Sequence, residues 1–500
     1  MLVEPLPARG LMIPAHCLYG NKGRSPCSVS YSHDPRAGWL ACCSILNAGF
    51  SVNIMNIVAL ARAVARQSGG LLRWASLLLP MAACVGTLCA LFLWLLDQAA
   101  HTRLLHPWLL YALPVAGVAV GGLYHVFGRA AEGGNNLIVD QIHAPGGGVP
   151  LRMAPLVLIG TVVSHLFGAS VGREGTAVQM GGSIASTVGR VWRLTNPYEI
   201  RVLLMSGIAA GFSAVFGTPV AGAVFGMEVI RVGRIDYDAL VPVAVSAIVA
   251  DWACHAWGIE HVPYHLAFQG YAGPDGHFFH ADLLLLGKVM VAAVAFGLAS
   301  LVFAESVHRL AARLRQLCPI AWLRPALGGI ATIALVWLCG SRDYLGLGII
   351  APEAGGASIS DFFGAGHYPL AWAWKLVFTV VVLAAGFKGG EVTPLFFIGA
   401  GLGNALAPLL HAPADLLAGV GFVAVFAGAA NTPLACTLMG VELFGTADIV
   451  YFATGCFVAY MCSGHSGIYL SQRVAVPKRH HAGTMTGMAL RQVRIGGSKT

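Results

Sequence analysis

The apolar residues of this chain come in runs too long and too numerous for a core that faces water. Span-length runs occur at 71–96, 107–127, 151–169, 239–257, 283–303, 323–338 and 370–385. Crossing a hydrocarbon layer of about 30 Å takes about 20 residues of helix, so these runs predict an all-α polytopic membrane protein. Shorter apolar pieces lie between and after them, at 174–190, 201–216, 219–230, 394–409, 416–429, 433–445, 448–461 and 467–476. Gly, Thr-Pro pairs and single charges cut them to lengths that do not cross alone. They predict helices that start or stop inside the membrane, which lipid tolerates only where the broken backbone lines an enclosed or watery site. Composition agrees: charged residues make up 10% of the chain, against about 25% in an ordinary soluble domain. The 63 glycines suit close helix packing and interrupted helices.

Charge and cysteine exclude other classes. The net charge of +8 sits in loops and tails and is no nucleic-acid signal. After Gln472 the chain carries Arg473, Lys478, Arg479, Arg491, Arg494 and Lys499 and no acid. That excess predicts a cytoplasmic C-terminus in a cell (inner) membrane, and residues 477–500 read as a basic, disordered tail. The 12 cysteines include no C-x-x-C pair and fall mostly in apolar runs, where they read as small core residues. Residues 1–52 show no secretory signal. They read as either a disordered extension or sequence upstream of the true start, with Met55 as an alternative initiator. Residues 53–66 have the pattern of an amphipathic interfacial helix.

Two elements recur. Residues 217–229, GTPVAGAVFGMEV, match 431–443, NTPLACTLMGVEL; in both, Glu follows nine positions after the Pro of a Thr-Pro. Upstream, GREGT at 172–176 matches GGEVT at 389–393. The core domain, 53–476, therefore reads as two related halves, about 107–236 and 325–446. Paired interrupted helices in two halves point to a binding site between them.

GREGT, GTP, GGEVTP and NTP each have the form of a helix start; in the last three Thr precedes Pro, so Thr can cap and Pro can take the first helical position. A helix N-terminus carries free N–H groups and partial positive charge. Several converging at mid-membrane would hold a small monovalent anion without a full cation. Glu174 sits at one such start. It reads either as a capping carboxylate or as a gate that competes with the anion, takes a proton and swings away. Glu228 reads as a rim ion pair with Arg231 and Arg234, about 14 Å from Pro219 at helical rise.

G-R-E-G-x-x-x-Q-x-G at 172–181, the Thr-Pro helix at 219, G-x-E-x-x-P at 389–394 and the late Tyr469 together resemble the CLC family of anion channels and transporters over about residues 70–476. The resemblance implies two inverted repeats of broken, tilted helices, a homodimer with one pathway per subunit, and no regulatory domain after 476. Three departures resemble the fluoride–proton antiporter branch. Gly134-Asn135-Asn136-Leu137-Ile138 stands where chloride transporters have G-S-G-I-P. Thr176 ends the G-R-E-G run in place of Pro. Glu391-Val392-Thr393-Pro394 stands in the G-x-F-x-P run.

The resemblance implies Glu174 as gating and proton-carrying residue, with Glu391 shaping coupling and selectivity. It implies Asn135, Thr393 and Tyr469, with Gly175, Thr176 and Val392, around the anion. Val229 replaces the inner relay Glu of chloride–proton exchangers. The expected partners are fluoride (or chloride), protons, lipid and a second copy; no cofactor, metal or nucleic acid is expected. A chloride–proton antiporter or passive channel of the same fold is the alternative. An enzyme is disfavoured. H-E-x-x-H is absent, and the G-x-S-x-G at 168–172 follows an apolar helix rather than a strand.

Overall fold

The computed structural model describes residues 54–261, 264, 266–268, 282–353, 355–478 and 485–497. The extension at 1–52 lies outside them, as do the side chains of the expected interfacial helix at 53–66. The chain divides into Met1–Gly70 and Leu71–Thr500, and the helical body lies in the second unit. Its helices are α1 (Ile54–Leu105), α2 (Leu113–Phe127), α3 (Gly134–His143), α4 (Met153–Leu166), α5 (Glu174–Val191), α6 (Pro197–Phe216), α7 (Pro219–Glu228) and α8 (Leu240–Ala256). They continue as α9 (Leu283–Leu317), α10 (Arg324–Cys339), α11 (Ala371–Ala385), α12 (Val392–Leu410), α13 (Ala414–Ala430), α14 (Pro433–Phe444), α15 (Ile449–Cys462) and α16 (Leu490–Gly497). Two-residue strands β1 (Arg231–Val232) and β2 (Arg473–Val474) pair in parallel. The expected all-α membrane fold is thus observed.

Seven described helical segments are long and apolar enough to cross a membrane. They differ from the expected seven in two exchanges. The runs at 151–169 and 370–385 become the short helices α4 and α11, of 14 and 15 residues. The pieces at 201–216 and 394–409 extend instead to the 20 residues of α6 and the 19 of α12. The first turn of α6, Pro197-Tyr-Glu-Ile-Arg, is too polar to be counted with its apolar run, yet Asn196 caps it through Tyr198 N–H. These two are also the most enclosed spans, with 83% and 78% of their windows buried. Residues 467–476 form no helix; a turn there leads into β2.

The repeat is visible in packing. α5 meets α6 through Gly181 and Gly207, and α12 meets α13 through Gly399 and Gly421. A Cβ at Gly181 would stand 2.0 Å from Gly207 O, and one at Gly399 2.0 Å from Gly421 O. Only glycine permits such an approach. Each half then ends in a short Thr-Pro helix, α7 or α14, with Pro at its start as expected.

The threonines do not cap these helices. Neither Thr218 nor Thr432 makes a side-chain cap bond. The caps come from the other half. Glu442, near the end of α14, accepts from Val220 N (2.9 Å) and Ala221 N (2.7 Å) at the start of α7. Glu228, at the end of α7, accepts from Leu434 N (3.1 Å) and Ala435 N (2.8 Å) at the start of α14. Glu228 is therefore no rim ion pair. It is buried, and two backbone donors with the helix dipole behind them offset the cost of burying its charge.

The basic tail is folded where described. Val474 and Leu490 pack on Val232. Arg491 pairs with Asp140 at 3.1 Å and Arg494 with Glu305 at 2.9 Å. Lys478 donates from a buried position to Tyr460 O at 2.7 Å. These partners lie more than a hundred residues upstream in the first two cases, which hides them from a local reading.

The clasp predicts an order of stabilities. Glu228→Ala leaves two buried N–H groups without partners and should cost about 2–4 kcal/mol at about 1–3 per bond, in part compensated by water. Glu442→Ala, nearer solvent, should cost less. Thermal unfolding in detergent, followed by size-exclusion of the soluble fraction, checks this; equal melting points for both variants and the wild type would remove the clasp from the stability argument.

Candidate functional site

The starts of α5 and α12 face each other across the junction of the two halves. Gly172 and Gly390 form an antiparallel bridge, with Gly172 N donating to Gly390 O at 2.6 Å and Gly390 N to Gly172 O at 2.7 Å. A Cβ on Gly390 would meet Gly175 N at 2.7 Å, so glycine is what lets the two backbones touch. The bridge also fixes register. Glu174 is the first residue of α5, whereas Glu391 is the N-cap of α12. The motif match sets these two acids against each other; the helices start one residue out of that register.

Glu174 is buried. Its Oε2 accepts from Thr393 N and from Arg173 N, each at 3.1 Å. Its Oε1 accepts from the Thr393 hydroxyl. So the carboxylate caps the helix opposite as well as its own turn, as the capping reading of Glu174 expects. Among the four helix starts, the convergence is narrower than expected. The N–H pairs of α7 and α14 are taken by Glu442 and Glu228. What remains is the N–H groups of Gly175 and Thr176 on α5 and Val392 on α12, none of which has an intrahelical partner at these positions.

Asn135 lies in the first turn of α3, and its Nδ2 would stand 3.2 Å from a Cβ at Gly175. It therefore joins the α5–α12 junction. Its Oδ1 is buried with no partner among the described residues. Thr176 is half a correction: its hydroxyl is shared with Thr161 at 2.6 Å, so it offers the site only its N–H. Val392 and Thr393 are buried at the start of α12, and Glu391 is partly buried with no side-chain cap bond. Tyr469 is buried edge-on against Phe225, with ring centroids 6.5 Å apart.

Three residues carry this arrangement without having been singled out from sequence. Asn136 Oδ1 accepts from Ser471 N at 2.9 Å, tying α3 to the turn after Tyr469. Gln472 donates to Val229 O (2.9 Å) and Ala430 O (2.7 Å) and accepts from Asn431 Nδ2 (3.0 Å), which joins the ends of α7 and α13 to the same turn. Arg173 lies 3.7 Å from Glu174 Oε1. It lines both a cavity of about 420 Å³ and a small void that reaches Thr393, with Phe216, Phe396 and Phe422 around the latter. Phe396 stacks on Phe422 at 3.9 Å. The Asn-Asn pair was the available signal for Asn136; nothing local marks Gln472.

At this junction a buried carboxylate holds the backbone and hydroxyl donors of the facing helix start. Residues 116–464 match the family model for voltage gated chloride channels. The chain is 51% identical over 414 residues to a chloride/fluoride channel protein of Pseudomonas syringae pv. tomato, covering 82% of this chain and 88% of that one. It is 27% identical over 373 residues to an H(+)/Cl(−) exchange transporter, ClcA, of Salmonella arizonae, covering 70% and 74%. Among solved structures it is similar to a CLC-type fluoride/proton antiporter, with a TM-score of 0.75 and 32% identity, covering 81% of this chain and 98% of that one.

The two neighbouring asparagines separate by experiment. Asn136→Ala leaves Ser471 N–H unpartnered and should cost about 1–3 kcal/mol of stability. Asn135→Ala, whose Oδ1 has no partner to lose, should leave the melting point near that of the wild type and weaken anion binding instead. Equal thermal shifts for the two would show that the structural and ligand-facing roles are not divided in this way.

Proposed function

Because the chain belongs to the CLC family of voltage gated chloride channels, we propose that it is the proton-coupled fluoride transporter among them, exporting fluoride in exchange for protons. The observation that carries this reading is the Glu174 carboxylate lying on the N–H and hydroxyl of Thr393. Carboxylate and anion want the same donors. A proton on Glu174 weakens its hold on the start of α12 and frees those donors for the anion. Loss of the proton brings the carboxylate back. Anion and proton are thereby linked through one side chain.

Fluoride fits the donor set. It is small and strongly hydrated, so a site has to replace water with short, hard donors. Asn135 Nδ2, the Thr393 hydroxyl, the Tyr469 hydroxyl and the N–H groups of Gly175, Thr176 and Val392 supply them. Glu391, at the N-cap of α12, adds a second carboxyl group beside the anion path. It disfavours larger, softer anions that are bound by charge alone and takes part in proton transfer. Val229 is buried and engages Gln472 only through its carbonyl, which supports a proton route that does not pass through that position. The chain would work as a homodimer in the cell (inner) membrane with its C-terminus in the cytoplasm, and a proton gradient acid outside would drive fluoride out.

The test is anion efflux from proteoliposomes, fluoride against chloride, with internal pH followed in the same vesicles. Fluoride efflux should drive uphill proton movement, and Glu174→Gln should abolish that movement, a loss of at least about tenfold at one charge-assisted bond. The relative named as a proton–chloride exchanger supports the second reading. Equal chloride transport would select chloride exchange, fluoride flux with no proton movement would select a passive channel, and proton flux that survives Glu174→Gln would remove Glu174 from the proton route.

A further inference from the structure

Beyond the anion site, one cluster of side chains at its mouth has no part in that reading. Asp251 and His255 lie one turn apart near the end of α8, and His261 returns over them from the following segment. One ligand atom from each lies within 4.8 Å of the others. Asp251 Oδ1 stands 3.5 Å from His255 Nδ1. The two imidazoles meet edge to face, with centroids 5.2 Å apart and planes at 71°. Tetrahedral zinc, with bonds of about 2.0–2.2 Å, separates its ligand atoms by about 3.3 Å and two bound imidazole centroids by about 5 Å. The rings are already at that spacing. Closing the remaining gap of up to about 1.5 Å falls to His255, whose side chain is 49% exposed and whose Nδ1 would give up its 3.1 Å contact with Asp251 O to reach the metal.

A second observation points to a ligand. Asp251 Oδ1 and His261 Nε2 are buried atoms with no hydrogen-bond partner among the described residues. Buried polar atoms are paired in folded proteins, and orphans need a reason. Two orphans that can each present a lone pair, a carboxylate oxygen and an imidazole nitrogen, fit a shared cation. We propose that Asp251, His255 and His261 form a transition-metal site. Two imidazoles and one carboxylate select zinc or its first-row neighbours over calcium and magnesium, which take oxygen ligands. Three protein ligands leave a fourth position open.

The place gives the site a consequence. His261 lines both the 420 Å³ cavity and the small void beside Thr393, each together with Arg173. Arg173 opposes a cation there; the Asp251 charge compensates for part of it. Passage of an anion requires binding weak enough to release. A divalent cation with an open position, set in the mouth, holds the anion and slows its passage.

The experiment is zinc titration of the purified, metal-free protein by calorimetry, alongside proteoliposome efflux with zinc added. The wild type should take up one zinc per chain and lose anion flux over the same concentration range. His255→Gln removes one ligand from an exposed position; it should raise the zinc concentration needed in both measurements by tenfold or more and leave zinc-free flux unchanged. Identical titrations of wild type and His255→Gln, or no saturable zinc uptake by the wild type, would overturn the site. Calorimetry reads binding without transport, so this outcome is independent of which anion the protein carries.

Discussion

A carboxylate meeting a helix N-terminus from the other half is the interaction on which this structure turns. It occurs at three places between the halves: Glu442 on α7, Glu228 on α14 and Glu174 on α12. In each, a carboxylate and a set of unpaired N–H groups satisfy one another, with the charge buried at Glu228 and Glu174 and half-buried at Glu442. The three are not equivalent. Glu228 and Glu442 each face only backbone donors and close a short helix with its Pro start. Glu174 also takes the hydroxyl of Thr393, a residue that with Arg173 lines a small void. The same physics makes two clasps on backbone alone and one that also draws on a side-chain hydroxyl, the one proposed above to open on protonation.

The glycines set how near these partners come. Gly172 and Gly390 bring the two halves into direct backbone contact, and Gly175 leaves room for the Asn135 amide. Behind them, Gly181 against Gly207 and Gly399 against Gly421 pull α5 onto α6 and α12 onto α13. Dispersion and backbone proximity hold such contacts in lipid, where no hydrophobic force drives helices together. The site is precise because the scaffold beneath it has no slack.

Much of this was legible in the chain itself. Apolar runs marked the membrane class and most spans, and the duplicated Thr-Pro and Gly-rich motifs marked the two halves and the starts of α5, α7, α12 and α14. Span length failed where a polar first turn belonged to the helix, as at Glu199 and Arg201 of α6. Capping failed where the acceptor came from the other half: Glu228 reads locally as a partner for Arg231, while its true partners lie at 434 and 435. The tail failed for the same reason, since Asp140 and Glu305 are far from Arg491 and Arg494. Asp251 and His255 alone have no metal signature; His261 joins them only because the chain doubles back. Local chemistry is visible in a sequence, whereas pairing across two hundred residues is not.

The reciprocal clasp bears on how such a chain is made. Synthesis delivers residues in order, and α7 emerges with Val220 and Ala221 N–H groups whose acceptor, Glu442, is 222 and 221 residues away. At about 5–20 residues per second that interval is on the order of 10–40 s. For that time the first half holds an uncapped helix start in or near lipid, and Glu228 waits as an unpartnered acid. The first half therefore cannot reach its final form alone. Biogenesis has to keep it in a wet or chaperoned place until the second half arrives, and a chain truncated before α14 should be a substrate for membrane quality control rather than a smaller working protein.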